Sequence, residues 1–527
     1  MIYHCEDHSC NYWDEGEKLP ERCPQCGRKL LRANETDMTG DDWTALGNTL
    51  WDAEASDKKR MVDCFRKAAY LGSAWGVCNL GICMEQGNGV EADPVQAFWL
   101  YQQAVEMGSL NAVCCLGVCY QYGIGTAPDA KQAAELYCKA AEYGSPRGQM
   151  LLAHAFHDGI GVEADAAEAV HWVRAAAYQR YGEGMYRLGV CYEYGDGVEQ
   201  NWEHAVHWFR EAAESGVSAA MTDLGYCYEK GCGVEQSWEQ AFSWYRRGAE
   251  CGYPVSMSNL GLCYKRGYGV EQNWQEAIKW YEQGAQCGDL QSMHNLACCY
   301  EHGEGVEQNM TEAIRWYTAA AEGGNADDMY ELGWQYDHGE GVEQDMKKAI
   351  CWYERAAEQN HPAAMNSLGE CYAMGRGVPR DLETAMEWYR RAAELGEAMA
   401  DYNMGWHLEQ AGKLSEAYAH YRKAADGNDD SAWWALGRFY ENGVVVAQDG
   451  KEARRCYETG EKLGSVKCKM RLARCKLLGI GGRRAKKAGL HLCRQALELA
   501  KESSEKEDYG YEAEMNLLRR TIAENES

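Results

Sequence analysis

The chain has 527 residues, with 53 Lys or Arg against 81 Asp or Glu, a formal charge of −28. That balance disfavours a general binder of nucleic acid or anionic membrane, and 46% hydrophobic with 25% charged residues describes a folded chain rather than a disordered one. No run approaches the ~20 apolar residues that span a bilayer, and Met1 to Asp7 lacks the basic and apolar regions of a signal peptide, so the expected location is the cytoplasm.

The first element is a cysteine cluster. Cys5-x4-Cys10 and Cys23-Pro24-Gln25-Cys26-Gly27 place two thiol pairs around a hairpin-length segment. Such pairs fit a tetrahedral thiolate site, most often zinc, and a glycine after the second pair lets backbone N–H groups turn toward sulfur. His8 is an alternative ligand for the wider first pair. The segment resembles a zinc ribbon or rubredoxin-type knuckle over residues 1–33. The resemblance implies a structural zinc held by Cys5, Cys10, Cys23 and Cys26, with iron as the alternative. Four protein ligands leave no open position for catalysis.

From residue 40 onward the chain repeats. A Leu-Gly or Leu-Ala step recurs every 36 residues at Leu80, Leu116, Leu152, Leu188, Leu224, Leu260, Leu296, Leu332 and Leu368. Met404 continues the register, Leu436 and Leu472 follow, and Leu46 starts it, giving thirteen units. In the unit at Leu224, Ala220, Leu224 and Cys227 fall on one helical face, and Ala241, Trp244, Tyr245 and Ala249 on another. Gly231 and Gly233 bracket the loop between them.

Thirteen residues after each key leucine stands a helix-capping residue: Asp93, Asp129, Asp165, Asn201, Ser237, Asn273, Asn309, Asp345 or Asp381. Gln96, Gln132, Glu168, Gln240, Glu276 and Glu312 lie three residues further on, so reciprocal capping boxes are expected there. Small residues such as Gly81 and Ala97 allow close helix approach, and Trp-Tyr pairs are expected to fill the space between units. No unit could bury its apolar face alone, so the pairs must stack.

The pattern Leu-Gly-x-x-Tyr-x-x-Gly-x-Gly-Val, then Ala-x-x-Trp-Tyr-x-x-Ala-Ala-Glu-x-Gly, clearest at Leu188–Gly216, Leu260–Gly288 and Leu368–Gly396, resembles the Sel-one-like repeat, a relative of the tetratricopeptide repeat. The resemblance implies an all-α, right-handed α/α solenoid superhelix of about thirteen helix pairs at 40–482. It also implies a non-catalytic scaffold or adaptor for other proteins, commonly in bacterial signalling or assembly. The unit at Met404 departs from the pattern: Glu409-Gln410-Ala411-Gly412-Lys413 replaces the Gly-x-Gly loop.

Cys83, Cys119, Cys191, Cys227, Cys263, Cys299, Cys371 and Cys475 share one repeat column. Secreted cysteine-rich members of the family suggest a disulfide framework and a hydrolase, but no second column stands opposite, so these cysteines are expected to be reduced and buried. Dinucleotide, P-loop, zinc-protease and nucleophile-elbow motifs are absent from the sequence.

In helix-pair solenoids the first helix lines the concave side. Asn79, Tyr226, Asn259, Arg266, Asn295, Trp334, Asn403 and Trp406 are therefore the candidate residues for a protein or peptide ligand, since amides grip backbone and Trp supplies contact area. Residues 465–497 hold ten basic residues and no acidic one: Lys467, Lys469, Arg471, Arg474, Lys476, Arg483, Arg484, Lys486, Lys487 and Arg494. This stretch invites an acidic partner, another copy of the chain, or nucleic acid as an alternative function. Residues 483–527 are expected to form basic, capping helices.

Overall fold

The computed structural model describes residues 2–5, 13–15, 30–33, 35, 38–51, 55–506 and 511–526. Cys10, Cys23, Cys26 and His8, and the side chain of Cys5, lie outside the described residues. Strand β1 (Ile2–Cys5) pairs antiparallel with β2 (Trp13–Glu15) on one side and β3 (Leu30–Ala33) on the other. All the remaining elements are helices, and none of those described is long and apolar enough to cross a membrane. The chain divides into two compact units, Met1–Trp280 and Tyr281–Ser527.

Within each unit the helices pair in sequence order. The repeat beginning at Ser218 shows why. Helix Ser218–Lys230 stops at Gly231, whose φ of 75° lies in the left-handed region, and the Gly231 N–H donates to Cys227 O at 2.8 Å. The chain then turns so that the Ser237 N–H donates to Tyr228 O (2.9 Å) and Gln236 Nε2 to Glu229 O (2.8 Å). Ser237 Oγ accepts from the Gln240 N–H and starts helix Trp238–Glu250.

Eight of the nine expected caps start their helices as N-cap residues, and Asn273 accepts from the N–H groups of Gln275 and Glu276. The capping boxes do not close, however, because the N-cap N–H is already in use. Asp93, Asp129, Asp165, Ser237, Asn273 and Asn309 each donate it to a carbonyl of the preceding helix, at 2.7–2.9 Å. A reciprocal box forms instead at Thr39 and Asp42.

The two helices of a pair are locked through a glycine and a tyrosine. Gly225 leaves room for the ring of Tyr245, whose hydroxyl donates to Glu229 Oε2 at 2.9 Å. The same link joins Tyr101 to Glu85, Tyr317 to Glu301 and Tyr457 to Glu441. These tyrosines are fully buried, as are the key leucines from Leu188 to Leu368. The tryptophan that precedes the tyrosine packs against the core that runs through successive repeats, as expected, and its outer part meets a cation. Trp352 and Trp388 are half-buried, with Arg355 and Arg391 lying 4.3 and 4.4 Å from their ring centroids. In several places the first helices of successive repeats also touch one another directly, as Leu110–Tyr122 does Pro146–Asp158 and Ala326–His338 does Pro362–Met374, and among the described residues no two second helices do so to the same extent.

The expected boundary at 482/483 cuts through a helix pair. Helix Lys486–Lys506 packs against Val466–Leu478 through Cys493, Ala496 and Ala500, and Glu512–Glu526 covers that pair with Met515 and Leu518. The apolar spacing of residues 490–500 continues the repeat, and the basic residues on its flank disguise it.

Asp429 caps helix Asp430–Asn442, and burial pushes its carboxyl up from 3.8 to about 6. The folded carboxyl titrates higher than the unfolded one. The stability it contributes is therefore full below pH 4 and lost as pH rises through about 6. Asp429→Asn keeps the cap and removes the half-buried charge. It is expected to raise the melting temperature at pH 8 and leave it unchanged at pH 4; equal shifts at both values would contradict this.

Candidate partner-binding surface

Successive first helices carry the candidate residues, and the structure sorts them into two kinds. Two of the four asparagines, Asn79 and Asn403, tie neighbouring repeats together. Asn79 is 9% exposed and its Nδ2 donates to Asn48 Oδ1 at 2.8 Å. Asn403 Nδ2 donates to Asn366 Oδ1 and Glu370 Oε1, at 3.0 and 3.1 Å. Asn295 Oδ1 accepts from Gln291 Nε2, and Asn259 is half-buried. An amide spent between helices is not available to a ligand backbone.

The aromatic and charged candidates do face solvent. In the first unit Tyr226 is 43% exposed, with Lys230 Nζ 5.7 Å from its ring centroid, and Arg266 is exposed. Tyr122 and Tyr194, at the same helical position as Arg266, are more exposed still. Sequence reading passed over them, although a tyrosine six residues after a key leucine is visible there. Glu193 and Asp223 lie nearby; burial raises both carboxyls, and Asp223 raises that of Glu193 further.

In the second unit a cavity of about 440 Å³ opens beside Trp334, with Glu301, Glu331 and Glu340 in its lining. Trp334 stacks on His338, with centroids 4.4 Å apart and 24° between planes. Burial, and then the Glu301 charge, raises the Glu331 carboxyl. His294 and Cys298 also line this cavity, and His294 Nδ1 lies 2.7 Å from Asp328 Oδ1. Two repeats further on, Trp406 is 43% exposed and meets His407 edge-on at 4.7 Å.

The basic stretch is partly consumed inside its own unit. Arg471 NH2 donates to Glu514 Oε1 at 2.7 Å, Arg474 pairs with Glu441, and Arg484 NH2 donates to Asn525 Oδ1 at 2.7 Å. Lys467 lies over the rings of Trp434 and Tyr511. Arg483, Lys486 and Lys487 are exposed.

The repeat-column cysteines are buried free thiols. Burial pushes Cys83, Cys191 and Cys371 up to about 11, and Cys119, Cys227 and Cys475 to about 12. Among the described residues no group of three or more His, Cys, Asp and Glu is arranged to hold a metal ion.

Stacked helix pairs with a periodic Leu-Gly/Tyr lock define a helical-repeat solenoid. The Sel1 repeat matches twelve segments, at 76–109, 112–145, 146–181, 182–217, 218–253, 254–289, 290–325, 326–361, 362–397, 398–429, 432–465 and 466–501. The chain belongs to the Sel1 repeat family. It is similar to a protective antigen of uropathogenic Escherichia coli strains that displays an SLR fold: 29% identity over 81% of this chain and 94% of that one, TM-score 0.57. It is also similar to a Sel1 repeat protein from Oxalobacter formigenes, with 31% identity over 46% of this chain and 96% of that one, TM-score 0.43. No curated protein matches the chain.

Proposed function

We propose that this chain is a non-catalytic, cytoplasmic scaffold whose first-helix face holds a protein or peptide segment bearing Lys or Arg side chains. The observation that carries this reading is the cavity at Trp334, where an aromatic ring and the carboxylates of Glu301, Glu331 and Glu340 converge. A cation is attracted both to the ring face and to the carboxylates. Repeat solenoids present extended surfaces of this kind to protein partners. The many buried free thiols suit a reducing compartment. Cys5, Cys10, Cys23 and Cys26 are proposed to hold a structural zinc, on the strength of their spacing alone.

Of the basic stretch behind the nucleic-acid alternative, Arg471 and Arg474 are engaged by Glu514 and Glu441, while Arg483, Lys486 and Lys487 stay exposed. Selection of random peptides on the intact chain is expected to enrich Lys- and Arg-bearing sequences. The Trp334→Ala/Trp406→Ala double variant should bind them at least about tenfold more weakly, as loss of aromatic anchors does elsewhere. Enrichment of acidic peptides, or unchanged affinity in the folded double variant, would overturn the reading.

A further inference from the structure

Cys298 and Cys299 are neighbours in sequence with different surroundings. Cys299 belongs to the buried column, whereas Cys298 sits on the wall of the 440 Å³ cavity, in helix Leu290–His302. One helical turn earlier, His294 brings Nε2 to 3.6 Å from Cys298 Sγ. On the other side of the ring, Nδ1 lies 2.7 Å from Oδ1 of Asp328, a fully buried carboxylate on the first helix of the next repeat. An ionised carboxylate only accepts, so Nδ1 carries a proton and Nε2 is the atom that exchanges one with sulfur. Tyr317, from helix Met310–Glu322, places its hydroxyl 3.4 Å from Sγ and donates to Glu301 Oε2 at 2.7 Å.

We propose that Cys298, His294 and Asp328 form an activated-thiol site, at which Cys298 is modified by a small uncharged electrophile of the hydroperoxide class.

Thiolates are the reactive form of cysteine, and a neighbouring imidazolium favours them. Asp328 first, and Cys298 second, push His294 up to about 10, so the ring is charged at neutral pH. Glu301 and His302 on the same helix, Tyr317 on the next, Glu331 on the helix that carries Asp328, and Glu340 in the loop after it complete the surroundings. The carboxylates oppose an anionic reagent. In the reaction the thiolate attacks the distal peroxide oxygen: an S–O bond forms, the O–O bond breaks, and the leaving alkoxide takes the proton from His294 Nε2. Sulfur is oxidised by two electrons to sulfenic acid as the peroxide is reduced to alcohol. The site is consumed stoichiometrically, so the chain remains a scaffold, and the chemistry does not depend on the peptide reading above.

The intact chain provides its own comparators, since Cys251, Cys287 and Cys351 are exposed. Site-resolved mass spectrometry of brief labelling with uncharged iodoacetamide at pH 6.5 is expected to show Cys298 reacting at least about tenfold faster than these three. Iodoacetate should lose that advantage, and hydrogen peroxide followed by dimedone should tag Cys298 first. Folded His294→Gln should bring Cys298 down to the comparators. Should that variant fail to fold, the comparison of Cys298 with the exposed cysteines of the unmodified chain decides. A Cys298 rate at or below that of the exposed cysteines at pH 6.5, or an unchanged rate in folded His294→Gln, overturns the proposal.

Discussion

Arg471→Ala is expected to release the C-terminal end of the solenoid, at a local cost of about 3–5 kcal/mol. The guanidinium is 13% exposed and lies between two carboxylates that are themselves nearly buried, Glu514 at 7% and Glu441 at 9%. Removing it leaves the two unequally provided for. Glu441 keeps Arg474 and the Tyr457 hydroxyl, whereas Glu514 keeps the Trp434 indole N–H at 3.2 Å as its hydrogen bond. The uncompensated charge would therefore fall on helix Glu512–Glu526, whose remaining hold on the preceding pair is a small apolar patch and the Arg484–Asn525 hydrogen bond. In a repeat array each unit contacts only its neighbours, so the loss should stay local. Hydrogen exchange should rise strongly in residues 466–526 and hardly at all before residue 400. Arg471→Met combined with Glu514→Leu, which removes both charges and keeps apolar volume, should restore most of the protection. A single variant as protected as the parent, or a double variant as exposed as the single one, would refute this account.

That cluster also shows where sequence reading stopped. The absence of acidic residues between 465 and 497 was plain, but charge balance is a property of space. Glu441 and Glu514 lie 30 and 43 residues from the arginine they meet. Local information served better where the physics is local. The 36-residue period and the N-cap residues follow from helix geometry and the needs of a helix start, and they appear in the structure at the positions read from the sequence. The reciprocal boxes failed because each needed the N-cap N–H, which another helix had already claimed. Two of the candidate asparagines show the same competition: the Nδ2 groups of Asn79 and Asn403 donate to the adjacent repeat. One link was legible and missed. A carboxylate five residues after the key leucine accompanies a tyrosine sixteen residues further on, as in Glu85 with Tyr101 and Glu229 with Tyr245. Cys298 escaped notice because Cys299 beside it fitted the periodic pattern, which draws attention to positions that repeat and away from positions that act.

Gly161→Ala is expected to be far more damaging than Gly159→Ala, although the two glycines share one loop and each has a φ of 70°. At Gly159 an added Cβ would meet nothing nearer than 3.5 Å. The cost there is the conformational one of an L-residue in the left-handed region, about 1–2 kcal/mol. At Gly161 the same Cβ would press into the backbone of Ala130, at the start of the preceding repeat's second helix. Backbone cannot rotate away as a side chain can, so the two repeats must separate or the loop must unfold. Steric conflict adds to the dihedral cost, and a total of about 3–5 kcal/mol is expected, in the range of the more severe core substitutions. The repeat at Leu436 shows that the dihedral part alone is tolerable: Val445, a β-branched residue, occupies the matching position with a φ of 64°. Val445→Gly should accordingly raise stability by about 1 kcal/mol by relieving that strain. Denaturant unfolding measures all three, and hydrogen exchange across residues 130–165 localises the effects of the two loop-glycine variants. Equal losses for the two loop glycines would show that dihedral strain, and not the approach of neighbouring repeats, sets the requirement for the second glycine.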